Sequence, residues 1–270
     1  MKRRWRNPSL VAGATIVCAL AAAAAFGPLA APKDPLAINL DLVFAPIGWA
    51  HPLGCDELGR DVLARLLWGA RISLSISAAV VAVSVVVGSI IGGTAALLGG
   101  ALDELTMRLI DVLLAFPGIL FALALAAILG PGLLDLAIAL CAIGWTGYAR
   151  LVRGEILSLR ERDYVVAARA LGSRTGRLLW RHLLPALAGP LIVRTTFGVA
   201  AIIVAEAALS FLGLGARLPT PTWGNMLDEG RAFLLTAPNL TAAPVVAIGL
   251  SVLGFNLLGD GLNRALDWRG

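Results

Sequence analysis

From Leu10 to Leu29 the chain carries no charged side chain, and the run is rich in alanine. About twenty apolar residues is what a helix needs to cross the hydrocarbon of a bilayer. Comparable runs recur at Ile72–Leu98, Leu105–Leu129, Leu133–Ala149, Leu187–Leu212 and Ala242–Leu258. Lipid offers a backbone no hydrogen bonds, so runs of this kind must satisfy themselves as helices. We therefore expect an all-α polytopic membrane protein with six transmembrane helices. Composition agrees, since 59% of the 270 residues are hydrophobic and 14% charged, against about 25% charged in a soluble domain. An unusually apolar soluble domain is the alternative, and it is set aside on these grounds.

Residues 1–31 read as a basic head, Met1–Arg6, and a first helix. Leu29-Ala-Ala-Pro-Lys33 offers small residues for signal-peptide cleavage, but the run is long enough to span and is read as uncleaved. Residues 32–71 form an extracytoplasmic segment. Within it Leu63, Leu66 and Leu67 fall at helical spacing, so Val62–Arg71 is expected as a helix on the membrane surface. His51, before a proline and near carboxylates, reads as a loop residue rather than a metal ligand. The core, residues 72–260, holds the other five spans. Gly88-x3-Gly92, with Ser84 and Ser89, gives a small-residue face for a tight helix crossing. Arg108 and Asp111 are expected to pair near the cytoplasmic end of the third span, and Phe116-Pro117-Gly118 to kink it. Residues 213–241 form a second extracytoplasmic insert and 261–270 a cytoplasmic tail.

Charge fixes the orientation. Sixteen of the 22 Lys and Arg residues fall on the side of the head, central loop and tail, and six on the other. By the positive-inside rule both termini and the loop are cytoplasmic. That also explains the net charge of +5 without nucleic acid, since the basic residues are not interleaved with aromatics in a soluble module. Cys18, Cys55 and Cys141 show no evident pairing, so neither a disulfide framework nor a metal site is expected.

The central loop, residues 154–185, is too polar to cross a bilayer. It reads as two short helices meeting at a corner. The first runs over Asp163–Leu171 and is closed by Gly172 in the left-handed conformation. The second starts at Ser173 or Thr175 and stops before Pro185. Ala167, Ala168 and Ala170 leave the first helix nearly bare. Arg174, Arg177 and Arg181 share a face of the second, where they can meet headgroups or an acidic partner. This is a docking piece, mechanical rather than chemical.

Ala167-Ala168-x3-Gly172 followed by Leu184-Pro185 resembles the cytoplasmic "EAA loop" of the membrane subunits of ABC importers. Tyr164-Val-x-Ala-Ala-Arg-Ala-Leu-Gly172 and Arg181-His-x-Leu-Pro185 narrow the resemblance to the dipeptide, oligopeptide and nickel permease branch, nearest its dipeptide C-type subunits. The stretch His51–Leu74, Ala115-Phe-Pro-Gly-Ile-Leu120, Tyr148-Ala-Arg-Leu-Val-Arg153, Glu206–Gly215 and Pro221-Thr-Trp-Gly-Asn-Met-Leu227 resemble it too, so the likeness covers roughly His51 to Asp260. One position departs: the family's eponymous glutamate falls on Val166. The resemblance implies a type I ABC importer permease fold in the bacterial plasma membrane, with cytoplasmic coupling helices and extracytoplasmic inserts. It implies a homologous sister permease with the pathway between the two. It also implies two cytoplasmic ATPase subunits holding ATP and Mg, and an extracytoplasmic substrate-binding protein. Asp163, Tyr164, Ala167, Ala168, Arg169, Ala170, Gly172, Arg174 and Pro185 would form the ATPase-coupling surface. Peptides are the commonest cargo it implies; nickel and other small ligands belong to the same branch.

The chain carries little chemistry of its own. Its only lysines are Lys2 and Lys33, and neither lies in a G-x4-G-K-[ST] string. Any ATP site therefore belongs to another subunit, and no cofactor is expected here. His51 and His182 cannot make an H-E-x-x-H pair, and no G-x-S-x-G elbow occurs. Glu206, Asp111 and Phe116 are the candidates for pathway lining or interhelical contact, Glu206 being the most isolated ionisable group at membrane depth. Two other readings stay open on the residues alone: a secondary transporter, which should show internal repeats with broken helices, and an anchor or receptor subunit without a pathway.

Overall fold

The computed structural model describes residues 7–30, 33–173 and 175–266, and these form helices joined by turns. In chain order the helices are α1 Pro8–Ala30, α2 Val62–Leu98, α3 Gly100–Ala115, α4 Gly118–Leu129, α5 Leu133–Leu159, α6 Asp163–Ala170, α7 Thr175–Leu178, α8 Leu184–Ala186, α9 Ala188–Phe211, α10 Trp223–Gly230 and α11 Asn239–Leu266. A π-helical turn, Leu179–Leu183, joins α7 to α8. Five helices are long and apolar enough to cross a membrane, and the broken pair α3–α4 makes a sixth crossing if counted as one.

The expected surface helix does not form. Val62–Arg71 is the first part of α2, which runs unbroken for 37 residues. At 1.5 Å per residue that is about 55 Å, well beyond a hydrocarbon core of about 30 Å. Its first turns therefore stand outside the bilayer as an extension of the span. Asp61 starts the helix, its Oδ1 accepting from the Ala64 amide at 2.9 Å, which is the reason a helix begins here.

The third span is broken rather than bent. α3 and α4 meet at 85°. Phe116 before the proline is extended (φ −92°, ψ 141°), as the steric demand of Pro117 on its predecessor requires. The sixth helix, α11, is longer at both ends than its apolar run, because Pro244 sits within its second turn and Gly259–Leu266 continues beyond the membrane-length stretch.

α2 packs chiefly on α5, α1 on α11, and α9 between α11 and α2. The α2–α5 crossing is backbone to backbone. A Cβ on Gly92 would stand 2.2 Å from Ala149 O, and one on Gly88 2.6 Å from Trp145 O. The Gly88-x3-Gly92 face is thus a close crossing, as its spacing predicts. Gly92→Val should cost about 2 kcal/mol or more by overpacking. Gly249→Ala, with open space around it, should gain about 0.5–1 kcal/mol. Thermal unfolding of the purified protein in detergent measures both.

Candidate functional site

The loop between α5 and α9 forms an elbow with two faces. The inner face is a packed cluster: Val165 of α6 is fully buried with Leu178, Leu179, Leu183 and Leu187 against Ala96 of α2 and Val152 and Ile156 of α5. Periodicity puts the opposite side outward, and Asp163, Tyr164, Val166, Ala167 and Ala170 are all exposed. Leu171 and Trp180 are exposed as well. Ala168 does not belong to the bare face; it is half-buried and packs against the cluster. The Arg169 side chain and Arg174 lie outside the described residues. Gly172 has φ +82° and nothing within 4 Å of where a Cβ would stand. It is there for its conformation and not for space, since L-residues pay to adopt it.

Pro185 corrects one expectation. The helix does not stop before it: Pro185 is exposed inside α8, and the chain stays helical from Thr175 almost to α9. A proline in a regular helix clashes with the carbonyl four residues back. The π turn ahead of it shifts the register, with the Leu184 amide bonding to Leu179 O, and so accommodates the ring.

Arg108 and Asp111 do not pair. Arg108 bonds to Glu104 one turn back, whereas Asp111 is held by Arg150 of α5. Arg153 adds a bidentate pair with Asp103, its Nη2 to Oδ2 at 2.6 Å. Spacing within one helix suggested the first pair; Arg108 instead finds Glu104 on its own helix and Asp111 finds Arg150 on a second. Phe116 is exposed at the α3–α4 break. Glu206 is fully buried, so it lines no open surface. Its Oε1 accepts from Ser210 Oγ one turn on in the same helix at 2.9 Å, and Oε2 has no partner.

On the far side of the bundle a second constellation was not foreseen. Arg60 and Arg65 are almost completely buried. Arg60 Nε donates to Asp56 Oδ2 at 2.6 Å, and its Nη2 to Glu57 at 2.9 Å and Glu229 of α10 at 3.3 Å. Arg65, in the first turns of α2, also bonds to Glu229. Burial alone would lower the Arg60 pKa, yet Glu229 and Asp56 outweigh it and hold it above its ordinary value. Burial pushes Glu57 up. Trp223 at the head of α10 is buried and donates from Nε1 to Leu66 O at 3.2 Å. Asn225 donates to Ala216 O at 2.8 Å and Thr220 O at 3.1 Å. The two outer segments are therefore one platform. A lone charge pattern gave no hint of it, because Glu229 lies far away in sequence.

Beside it, Asp61 Oδ2 accepts from Lys33 Nζ at 3.0 Å and pairs with His51 Nδ1 at 2.9 Å. His51 is a loop residue held by this pair. Cys55 is buried at 1% exposure and is unsuited to crosslinking a partner.

The fold is that of a polytopic membrane protein with an exposed two-helix elbow between α5 and α9. Residues 65–269 match the family described as binding-protein-dependent transport system inner membrane component, and the chain belongs to that family. It is similar to the dipeptide transport system permease protein DppC of Alkalihalophilus pseudofirmus, 39% identical over 98% of this chain and 88% of the relative. It is similar also to the di/tripeptide transport system permease protein DppC of Pseudomonas aeruginosa, 40% identical over 99% and 91%. The glutathione transport system permease protein GsiD of Shigella dysenteriae is 45% identical over 80% of this chain and 72% of its own length. The chain is thus a multi-pass permease subunit of an ABC importer, a non-catalytic component. Systems of this family work with ATPase and substrate-binding partners. The secondary-transporter and anchor readings fall away.

The platform carries a pH prediction. Burial works against ionising Asp61, but the Ala64 amide, Lys33 and His51 outweigh it and hold its carboxyl below the usual range. A carboxyl lowered in the folded state contributes stability above its unfolded value of about 3.9, and that contribution is lost as pH falls through the folded value. Protection of the first α2 turns against hydrogen exchange should therefore hold from pH 8 to 5 and drop below about pH 4. Asp61→Asn, which keeps the capping oxygen, should flatten that acid limb.

Proposed function

We propose that this chain is one half of an ATP-driven importer for di- and oligopeptides, with α6 as the element through which separate ATPases move it. The peptide cargo is carried over from the relatives' names. Both termini and the elbow lie in the cytoplasm of a bacterial cell, and a homologous sister permease completes the pathway. ATP and Mg bind to two partner ATPases, and an extracytoplasmic binding protein delivers cargo to the outer platform.

One observation carries the coupling role: α6 presents an exposed outer face, with Tyr164, Val166, Ala167 and Ala170, while its inner face is seated through Val165 on a cluster made by α2, α5 and the π turn. A surface element backed by packed core can take a push without buckling. Tyr164, Ala167, Ala170 and Gly172 provide the close fit. Asp163, Arg169 and Arg174 add polar contacts, and Pro185 sets the exit. Val166, where the family has glutamate, contributes an apolar contact instead. The outer platform offers exposed Ile38, Leu40, Ile47, Trp49 and Leu235 as its partner-facing side.

Gly172→Val tests the reading. It should cost about 1 kcal/mol or more locally through the backbone conformation and uncouple ATP hydrolysis from uptake in the reconstituted complex. Normal substrate-stimulated hydrolysis together with normal uptake would remove α6 from the coupling route. A cysteine introduced at Trp49, in place of the buried Cys55, should crosslink to the binding protein or the sister permease during turnover.

A further inference from the structure

Of the six basic residues on the side of the outer platform, five are held within the chain. Lys33 pairs with Asp61, Arg60 with Asp56, Arg65 with Glu229 and Arg231 with Asp228, and Arg217 donates to Pro131 O. The sixth, Arg71, has neither an ion pair nor a hydrogen bond among the described residues. It stands exposed on α2 at the head of an apolar groove of about 530 Å³ between α1 and α2. We propose that this groove binds a membrane phospholipid, with one acyl chain lying in it and the phosphate on the Arg71 guanidinium.

The groove lies between two close contacts of α1. Near its start α1 meets α11 backbone to backbone, where a Cβ on Gly13 would stand 2.3 Å from Leu258 N. Near its end it meets α2, where a Cβ on Gly27 would stand 2.9 Å from Leu67 Cδ2. Between these contacts the walls carry small, exposed side chains, Ala21 and Ala25 on α1 and Ser75 and Ala78 on α2. Val199 of α9 and Phe255 of α11 close the back. Helices with facing small residues ordinarily close up, and apolar space in a protein is ordinarily filled. Here the walls stay apart, and the exposed rim opens the groove to its surroundings, which at this depth are lipid.

Depth sorts the groove as it sorts a lipid. Leu67 lies beside Gly27, so Arg71, one turn of about 5.4 Å further along α2, stands inside the end of α1 instead of above it. A charge at that depth needs an anion or must reach up to the headgroups. Ser75 follows Arg71 at i+4, hence on the same face, and offers a hydroxyl at the level of the ester oxygens. Beyond Ser75 the lining is apolar, Ala78 and Val17 included. Phosphate, ester and hydrocarbon thus meet cation, hydroxyl and alkyl surface in that order. A carboxylate from another protein would satisfy Arg71 and leave the apolar length of the groove bare.

The test uses the protein in liposomes and two photoactivatable probes. One is phosphatidylglycerol with a diazirine in one acyl chain; the other is diacylglycerol with the same chain and no phosphate. Peptide mass spectrometry maps the adducts. In wild type the phospholipid should label residues 17–25 and 71–78 more than the exposed apolar face of α3 at Leu105 and Leu109. Arg71→Gln should cut groove labelling roughly tenfold, the worth of a charge-assisted hydrogen bond, and leave the α3 and diacylglycerol signals unchanged. Arg71→Lys should retain most of it. Ala21→Phe, which narrows the groove without touching the charge, should lower labelling by both probes. Gel filtration checks the fold of each variant. Competition of wild-type labelling by unlabelled phosphatidylglycerol, and not by diacylglycerol, gives the same answer without a substitution. Phospholipid labelling no stronger in the groove than on α3, or unchanged by Arg71→Gln, means annular lipid only and overturns the site. An equal fall for both probes shows that Arg71 shapes the groove without holding a phosphate, and overturns it too. A photoreactive residue placed at Ala78 that crosslinks another protein chain in whole cells, and no lipid, makes the groove a protein interface and likewise overturns it.

Discussion

The close crossing of α2 and α5 at Gly88 and Gly92 is what the remaining structure is built on. Backbones that meet without side chains between them gain dispersion contacts along their whole approach, which is the main attraction left once both helices are in lipid. Because α2 is unbroken, this one crossing fixes both of its ends. Its first turns carry Arg65 into the outer ion cluster, and Ala96, near its last turn, enters the cluster under the elbow. The outer platform and the inner elbow are therefore attached to a single rod. Movement of α2 relative to α5 would disturb both at once.

The ion cluster at the outer end has to be weighed differently from the crossing. Five ionised groups, Asp56, Glu57, Arg60, Arg65 and Glu229, share a largely dry volume. The desolvation of such charges roughly cancels their mutual attraction. Their value is geometric: Glu229 bridges Arg60 and Arg65, one oxygen to each, and that fixes which way it faces, and with it the angle of α10 on α2. The stabilisation under the platform is apolar, from Val62, Met226, Ala237 and Leu240 and from Trp223. Specificity of docking and stability of docking thus come from different residues on the same few turns.

How much of this could be read from the sequence depended on how local the cause was. The six apolar runs, the Gly88-x3-Gly92 crossing and the left-handed Gly172 follow from length, sterics and small-residue spacing, and each was legible; at 116–118 a kink was legible, though not that the helix breaks there. The string Pro221–Leu227 was legible as a resemblance, and its physics is plain in the fold: Thr222 caps α10 by accepting from the Asn225 amide at 3.1 Å, Trp223 anchors it, and Asn225 ties the preceding loop. What could not be read depended on partners distant in sequence. Val62–Arg71 looked like a surface helix because its polar side, Arg65, has its partner at Glu229. Arg108 and Asp111 looked paired because Arg150 was out of view.

The π turn at Leu179–Leu183 gives the elbow its mechanical character. An ordinary helix running into Pro185 would kink, and a kink is a compliant joint. Here one wide turn absorbs the proline, with the Leu184 amide bonding five residues back, and Leu179, Leu183 and Leu187 stay on one buried side against α2 and α5. α7, the π turn, α8 and α9 therefore follow one another with backbone hydrogen bonds across each junction. On the other side Arg160 continues from α5, its amide bonded to Ile156 O at 2.9 Å, and only Glu161 and Arg162 separate it from α6. A displacement of α6 along its seat has no slack loop in which to dissipate before it reaches α5. The left-handed corner at Gly172 stands between the two short helices of the elbow. For the coupling role proposed above, one defined corner and stiff arms are what would turn a push on the elbow into a change of angle between two spans, and α6 and the Thr175–Phe211 helical run are the arms on either side of Gly172.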